Sequence, residues 1–279
     1  MTKKSKIALI VLTVAVIIAA LAMMAKNSIV NINNDMKITD YYSLSEFRFD
    51  GDFNEFYKDS YNWYKSIEKE DGVYLVTTAY YGDELFNVWK ENNIYNTIPD
   101  KAFWYYTVSP SYLKQMNINL KNEELADAEN GIRLYLIPDT LSEEETEKIS
   151  AFLKEDALKN VDTSTIKTIF TDNKEIKTAS YSPDDSYFTF PSDKGEAVTD
   201  NAPIIYVCTS ANMKFYENES LIATGVDSYI KFEDEAVMKK HTENNSIEKY
   251  SLKFNKLSDI YKKAEKNKLV DKGINKLFK

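Results

Sequence analysis

The chain is 279 residues long and acidic, with 44 Asp and Glu against 35 Lys and Arg, a net charge of −9, one His and one Cys. Aromatic residues make up 13% of it against only 7 Gly and 6 Pro, the composition of a folded module and not of a linker. This balance argues against a general phosphate-binding surface, and so against nucleic acid as a partner. The lone Cys208 excludes an internal disulfide, and the lone His241 leaves His-rich zinc sites and Ser-His-Asp triads without a constellation.

In chain order, Lys3, Lys4 and Lys6 precede nineteen residues, Ile7 to Ala25, in which Thr13 is the only polar side chain. As a helix this run measures about 28 Å, close to the hydrocarbon thickness of about 30 Å, so it predicts a membrane span. Lysines before the span predict a cytoplasmic N-terminus, a single-pass protein of the cell membrane and a main domain outside the cell. Ala20-Leu21-Ala22 offers the alternative of a cleaved signal peptide. The run exceeds the roughly 7 to 15 residues of a signal core, which favours an uncleaved anchor. No cysteine follows it to receive a lipid.

Asn27 to Ser45 reads as a polar spacer. Phe53, Phe56, Tyr57, Trp63, Tyr64 and Ile67 then recur at helical spacing, and Asp71-Gly72 ends that helix. Val73 to Tyr81 is a strand, Glu84 to Glu91 a short helix and Ala102 to Val108 an aromatic strand. Ser109-Pro110 opens another short helix, and Ile132 to Ile137 is a third strand. Ser142 and Glu145 form a capping box for a helix that buries Ile149, Phe152, Leu153 and Ala157.

Beyond residue 160 the pattern predicts short strands at Thr165 to Thr171, Glu175 to Tyr181 and Ser186 to Phe190. Pro203 to Cys208 reads as a central strand buried on both faces. Met213 to Tyr216 and Leu221 to Ala223 read as a hairpin, Val226 to Phe232 as a strand, and Glu233 to Glu235 as the start of a helix. Leu257 to Phe278 keeps a helical period, with Gly273 a kink. From Lys249 to Lys279 ten lysines face three acids, a net +7, which leaves about −19 for Lys26 to Glu248. Such a basic tail suits an anionic membrane surface. The expected architecture is α+β: an anchor over residues 1–26, a helix/strand lobe over 27–160, a strand-rich lobe over 161–250 and a basic amphipathic helix over 251–279.

No pattern announces a reaction. Neither a dinucleotide-binding glycine pattern nor a P-loop occurs, so nucleotide energy would come from another subunit. Asp50, Asp52 and Asn54 have EF-hand spacing, but Glu55 stands where the loop needs Gly and Tyr61 where it needs Glu, leaving a solvated helix-entry loop. His241 reads as an exposed helix histidine, and Cys208 as a packing residue. The clusters Tyr61-Asn62-Trp63-Tyr64 and Phe103-Trp104-Tyr105-Tyr106 read first as core and second as a carbohydrate or peptide groove. No catalytic, cofactor-binding or metal-binding residue is assigned.

Tyr105-Tyr106-Thr107-Val108-Ser109-Pro110-Ser111-Tyr112-Leu113, Tyr135-Leu136-Ile137-Pro138 and Asn201-Ala202-Pro203-Ile204-Ile205-Tyr206-Val207 carry a resemblance. With the anchor and the basic last helix, they make the chain resemble the first part of MacB/FtsX-type ABC transporter permeases. Within that group it is similar to the bacteriocin-associated integral membrane proteins of Gram-positive bacteria. Such permeases continue into further membrane helices, and this sequence stops at Lys279, so the resemblance implies a standalone, truncated or split relative. It implies no cofactor and no chemistry in this polypeptide. The implied partners are the membrane, the ATPase and permease subunits of an ABC transporter, and an envelope peptide. The expected function is a membrane-anchored extracytoplasmic binding and coupling module, not an enzyme, in peptide export or immunity. The alternatives are an anchored cell-envelope hydrolase and a sensor or adaptor domain without a transporter.

Overall fold

The computed structural model describes residues 40–183, 187–188, 190, 199–200 and 202–263, and Asp40–Lys279 forms one compact unit. The expected span Ile7 to Ala25 and the helix beyond Lys263 lie outside the described residues. Among the described residues no helix is long and apolar enough to cross a membrane.

The expected α+β class is observed, built on one mixed sheet. In chain order the elements are β1 (Tyr42–Glu46), α1 (Phe53–Ile67), β2 (Val73–Tyr81), α2 (Asp83–Glu91), β3 (Phe103–Val108), α3 (Pro110–Gln115), α4 (Asn122–Glu129), β4 (Arg133–Pro138) and α5 (Glu143–Leu158). They continue with α6 (Ile169–Asn173), β5 (Ile176–Tyr181), β6 (Tyr187–Phe188), β7 (Thr199–Asp200), β8 (Ile204–Val207), α7 (Phe215–Ser220), β9 (Ile230–Phe232), α8 (Glu235–Thr242) and β10 (Lys253–Lys256). Eight strands join in the order β10-β1-β9-β2-β3-β8-β4-β5, and β6 pairs with β7 apart from them. Within the large sheet β3/β8 and β4/β5 are parallel and the other pairs antiparallel.

Local chemistry explains the helix boundaries. Asp52 caps α1 by accepting the Asn54 N–H at 2.9 Å, and Ser109 caps α3 ahead of Pro110. Ser142 and Glu145 close the expected box on α5, and Gly72, at φ +76°, makes the turn into β2. One face of the sheet receives α1 and α5 in a core that includes Phe56, Trp63, Tyr64, Phe152, Tyr206 and Phe232. Each such burial stabilises by about 1.5–3 kcal/mol. All four residues of β8 are buried, as expected of a strand enclosed on both faces.

The two-lobe expectation is corrected. β8 lies between β3 and β4, and β9 between β1 and β2, so strands from both sides of residue 160 interleave in one sheet. The spacer reading fails over Tyr42–Glu46, because those residues pair with both β10 and β9. Thr165 to Thr171 is not a strand: Thr168 caps α6, with Thr171 returning the bond at 2.9 Å. The hairpin around Glu217 is instead α7, capped by Glu217 accepting the Lys214 N–H at 2.9 Å. Val226 to Phe232 shortens to β9 after a 3-10 turn at Gly225–Asp227, and of Ser186 to Phe190 the described residues Tyr187–Phe188 form β6 while Phe190 lies outside it. Lys253–Lys256, assigned to the last helix, is a strand, and helical structure begins at residue 257.

Candidate functional site

Parallel β3 and β8 end side by side, and the antiparallel β2 and β4 begin at that same end. A crevice outside the carboxyl ends of adjacent parallel strands is where ligands enter open α/β sheets. Here it is a cleft of about 720 Å³ walled by the last turns of α1, by α3, α4 and α6, and by the loop after β8.

That loop is tightly set. Asn212 accepts the Thr209 N–H at 2.8 Å and donates to the carbonyls of Val207 at 2.9 Å and Ile132 at 3.0 Å. Beside this loop stands Gly131, at φ +87°, where a Cβ would come to 2.4 Å of the Ile169 Cβ and 3.2 Å of the Ala211 carbonyl oxygen. Ser111 donates to the Val73 carbonyl at 2.8 Å and bonds Ser109, fastening α3 to β2.

At the base of the cleft Glu68 accepts two bonds from Ser210, from its N–H at 2.7 Å and its hydroxyl at 2.6 Å. Tyr61 donates to the Ser210 carbonyl at 2.8 Å. Burial raises the Glu68 carboxyl above its ordinary range despite these bonds and the Lys69 charge. Around the mouth Lys69 pairs with Glu129 at 2.7 Å. Lys65 and Lys114, exposed on α1 and α3, and Asp71 and Asp172 form no ion pair among the described residues. The cleft thus offers cations and anions at once. No described imidazole or thiolate lies on its wall to activate a nucleophile.

Of the residues weighed from sequence, Tyr61 lines this cleft and the others fall elsewhere. His241 lies on α8 and is 7% exposed, not surface-exposed as expected, because its ring stacks over Phe232 and its carbonyl accepts the Trp63 indole at 2.7 Å. Burial and Lys240 lower its pKa. Cys208 is a buried free thiol pushed up by burial, consistent with a packing residue. Among the described residues no group of three or more His, Cys, Asp or Glu could hold a metal ion. Tyr61, Trp63 and Tyr64 are core, as is Tyr106.

Sequence reasoning missed the buried charges. Arg133, 1% exposed at the start of β4, donates to Glu217 at 2.7 Å and to the Tyr135 hydroxyl at 2.7 Å, and lies 3.8 Å over the Tyr206 ring. Burial alone would raise the Glu217 carboxyl, but Arg133 holds it below the usual range. Lys231, in β9, has no exposure at all. Burial pushes its amine down to about 7, opposed by Asp227. An Arg inside the apolar run Ile132 to Ile137, and a Lys between Ile230 and Phe232, were the available signals.

The architecture is a mixed α+β sheet domain with an end-on cleft of mixed charge. Compared with protein-family models, curated proteins and solved structures, the chain matches none.

Proposed function

We propose that this chain is a membrane-anchored extracytoplasmic binding and coupling module whose end-on cleft takes a short peptide, in an ABC-type export or immunity system. The observation that carries the peptide reading is the wall of the 720 Å³ cleft, where Lys65 and Lys114 stand with Asp71 and Asp172, all outside ion pairs among the described residues. A zwitterionic peptide presents both signs over such a span, whereas an anion would meet Asp71 and Asp172, and a cation the lysines. The anchor reading rests on the apolar run Ile7 to Ala25, and the transporter association on the resemblance of the segments around Tyr105–Leu113 and Asn201–Val207.

Titration of the full chain, held in a detergent without a sugar headgroup, with acidic, basic and zwitterionic short peptides tests the cleft. Zwitterionic peptides bind most tightly, and K65Q/K114Q weakens them roughly tenfold. Turnover of cell-wall polymer that disappears in E68Q would replace this reading with the anchored hydrolase. In the native host, protection from external protease would overturn the topology.

A further inference from the structure

A second cleft lies at the opposite end of the sheet, where β2 ends and β3 begins, and its chemistry differs from that of the first. It encloses about 400 Å³. Its distinguishing feature is an aromatic pair in register across the two strands, Tyr80 opposite Trp104, with ring centroids 5.3 Å apart and planes at 51°.

Tyr80 is 56% exposed, against 0% for Tyr106 two rungs away on the same face of the sheet. The core does not account for so large an apolar surface left in water. Nor is the ring a loosely held surface side chain. Trp104 supports one side of it, and Gly82 lies against it so closely that a Cβ there would come to 2.7 Å of the Tyr80 Cε1. An aromatic face that is both exposed and immobilised is preorganised for a flat apolar partner.

The rim is polar and electrically balanced. Asp100 and Glu145 face Lys101 and Lys148 along the cleft, joined as Lys148 to Asp100 at 2.5 Å and Lys101 to Glu145. The exposed Lys148–Asp100 pair contributes little, so its groups can exchange partners for a ligand's hydroxyls at small cost, while Glu145 keeps one oxygen in the α5 cap. Two ammonium groups and two carboxylates, with no net charge, select against an anion or a cation. They suit an uncharged ligand carrying many hydroxyls.

We propose that this cleft binds a saccharide, with the C–H face of one pyranose ring resting on Tyr80 and Trp104 and its hydroxyls bonded to Asp100, Lys101, Glu145 and Lys148. Phe103, Leu141 and Ile149 line the same cleft from the face of the sheet that packs against α5, opposite to the face that carries Tyr80 and Trp104. This site is separate from the peptide cleft, and neither proposal depends on the other.

The test is titration of the full chain, in a detergent without a sugar headgroup, with chitotetraose and cellotetraose, read by tryptophan fluorescence and by calorimetry. At least one oligosaccharide binds saturably. Both W104A and Y80A weaken it tenfold or more while circular dichroism stays unchanged. G82A keeps every polar group and only displaces the Tyr80 ring, so it weakens binding severalfold, and K65Q/K114Q at the other end leaves it unaltered. Absence of saturable binding by either oligosaccharide overturns the proposal. So does binding by W104A and Y80A as tight as by the wild type, or competition for these rings by the zwitterionic peptides in place of the sugars.

Discussion

Of the cations sealed inside this domain, Arg133 and Lys231 live in opposite circumstances. Arg133, on the β4 side of the sheet, is matched group by group: Glu217 and Tyr135 each at 2.7 Å, the Asn212 carbonyl at 3.4 Å and the Tyr206 ring beneath. Lys231, on the β9 side, donates to the Ser228 carbonyl and lies 5.1 Å from the Phe190 ring, with the Ser43 hydroxyl opposite it in register buried and without a bond among the described residues. A guanidinium has five donors in a fixed fork and keeps its proton, whereas an ammonium yields its proton when desolvated. The difference teaches that burial of charge is tolerated here in two ways, by full pairing or by a depressed pKa.

The largest effect expected is from breaking the matched side. R133M leaves Glu217 buried without its counter-charge and costs about 3–5 kcal/mol in chemical denaturation, while R133M/E217L recovers most of that loss. A loss below about 1 kcal/mol would mean that the pair matters no more than an exposed one.

The other side responds in the opposite direction. K231M removes a desolvated amine and is expected to stabilise by about 1–4 kcal/mol near neutral pH. The folded-state pKa of about 7 lies below the ordinary 10.5, so the unfolded chain binds more protons between those values. Wild-type stability therefore rises with pH across that window, and K231M flattens the rise. A pH slope that survives K231M would assign it to another group.

The third test sharpens the comparison at acid pH. Because Glu217 is held below its ordinary 4.5, its contribution is present above that value and lost as pH falls through the folded pKa. E217Q is less stable at neutral pH and loses that part of the acid dependence. Parallel acid limbs for E217Q and wild type would sink the assignment.

The smallest effect lies beside β9. His241 is lowered from 6.5, so its contribution is present above 6.5 and lost as pH falls through the lower folded value. H241F keeps a ring over Phe232 and is expected to reduce acid sensitivity just below pH 6.5 by about 0.5–1 kcal/mol. Thermal unfolding of the two proteins across that range decides it.

Periodicity and punctuation made much of the fold legible. The face of α1, the strand Val73–Tyr81, the Ser109-Pro110 start and the Ser142/Glu145 box all form as read, because each depends on residues within a turn or a strand of one another. The failures share one cause. Thr168 and Glu217 sit in stretches with strand-like neighbours, yet their side chains close helix caps, and Glu217 is also the carboxylate that β4 requires. Tyr42–Glu46 has no pattern of its own and becomes a strand only because Phe232 and Lys256 lie opposite Tyr42.

By itself the sequence determined the α+β class, the helices and strands of the first half other than β1 and α4, and an acidic body with a basic end, since composition and short-range spacing carry those properties. Only the tertiary structure decided that β8 and β9 insert between earlier strands, that the parallel end of β3 and β8 opens the mixed-charge cleft, and that Tyr80 and Trp104 meet at the other end. Those outcomes depend on which distant strands share edges. Strand pairing is chosen by packing across the whole sheet, and no window of neighbouring residues encodes it.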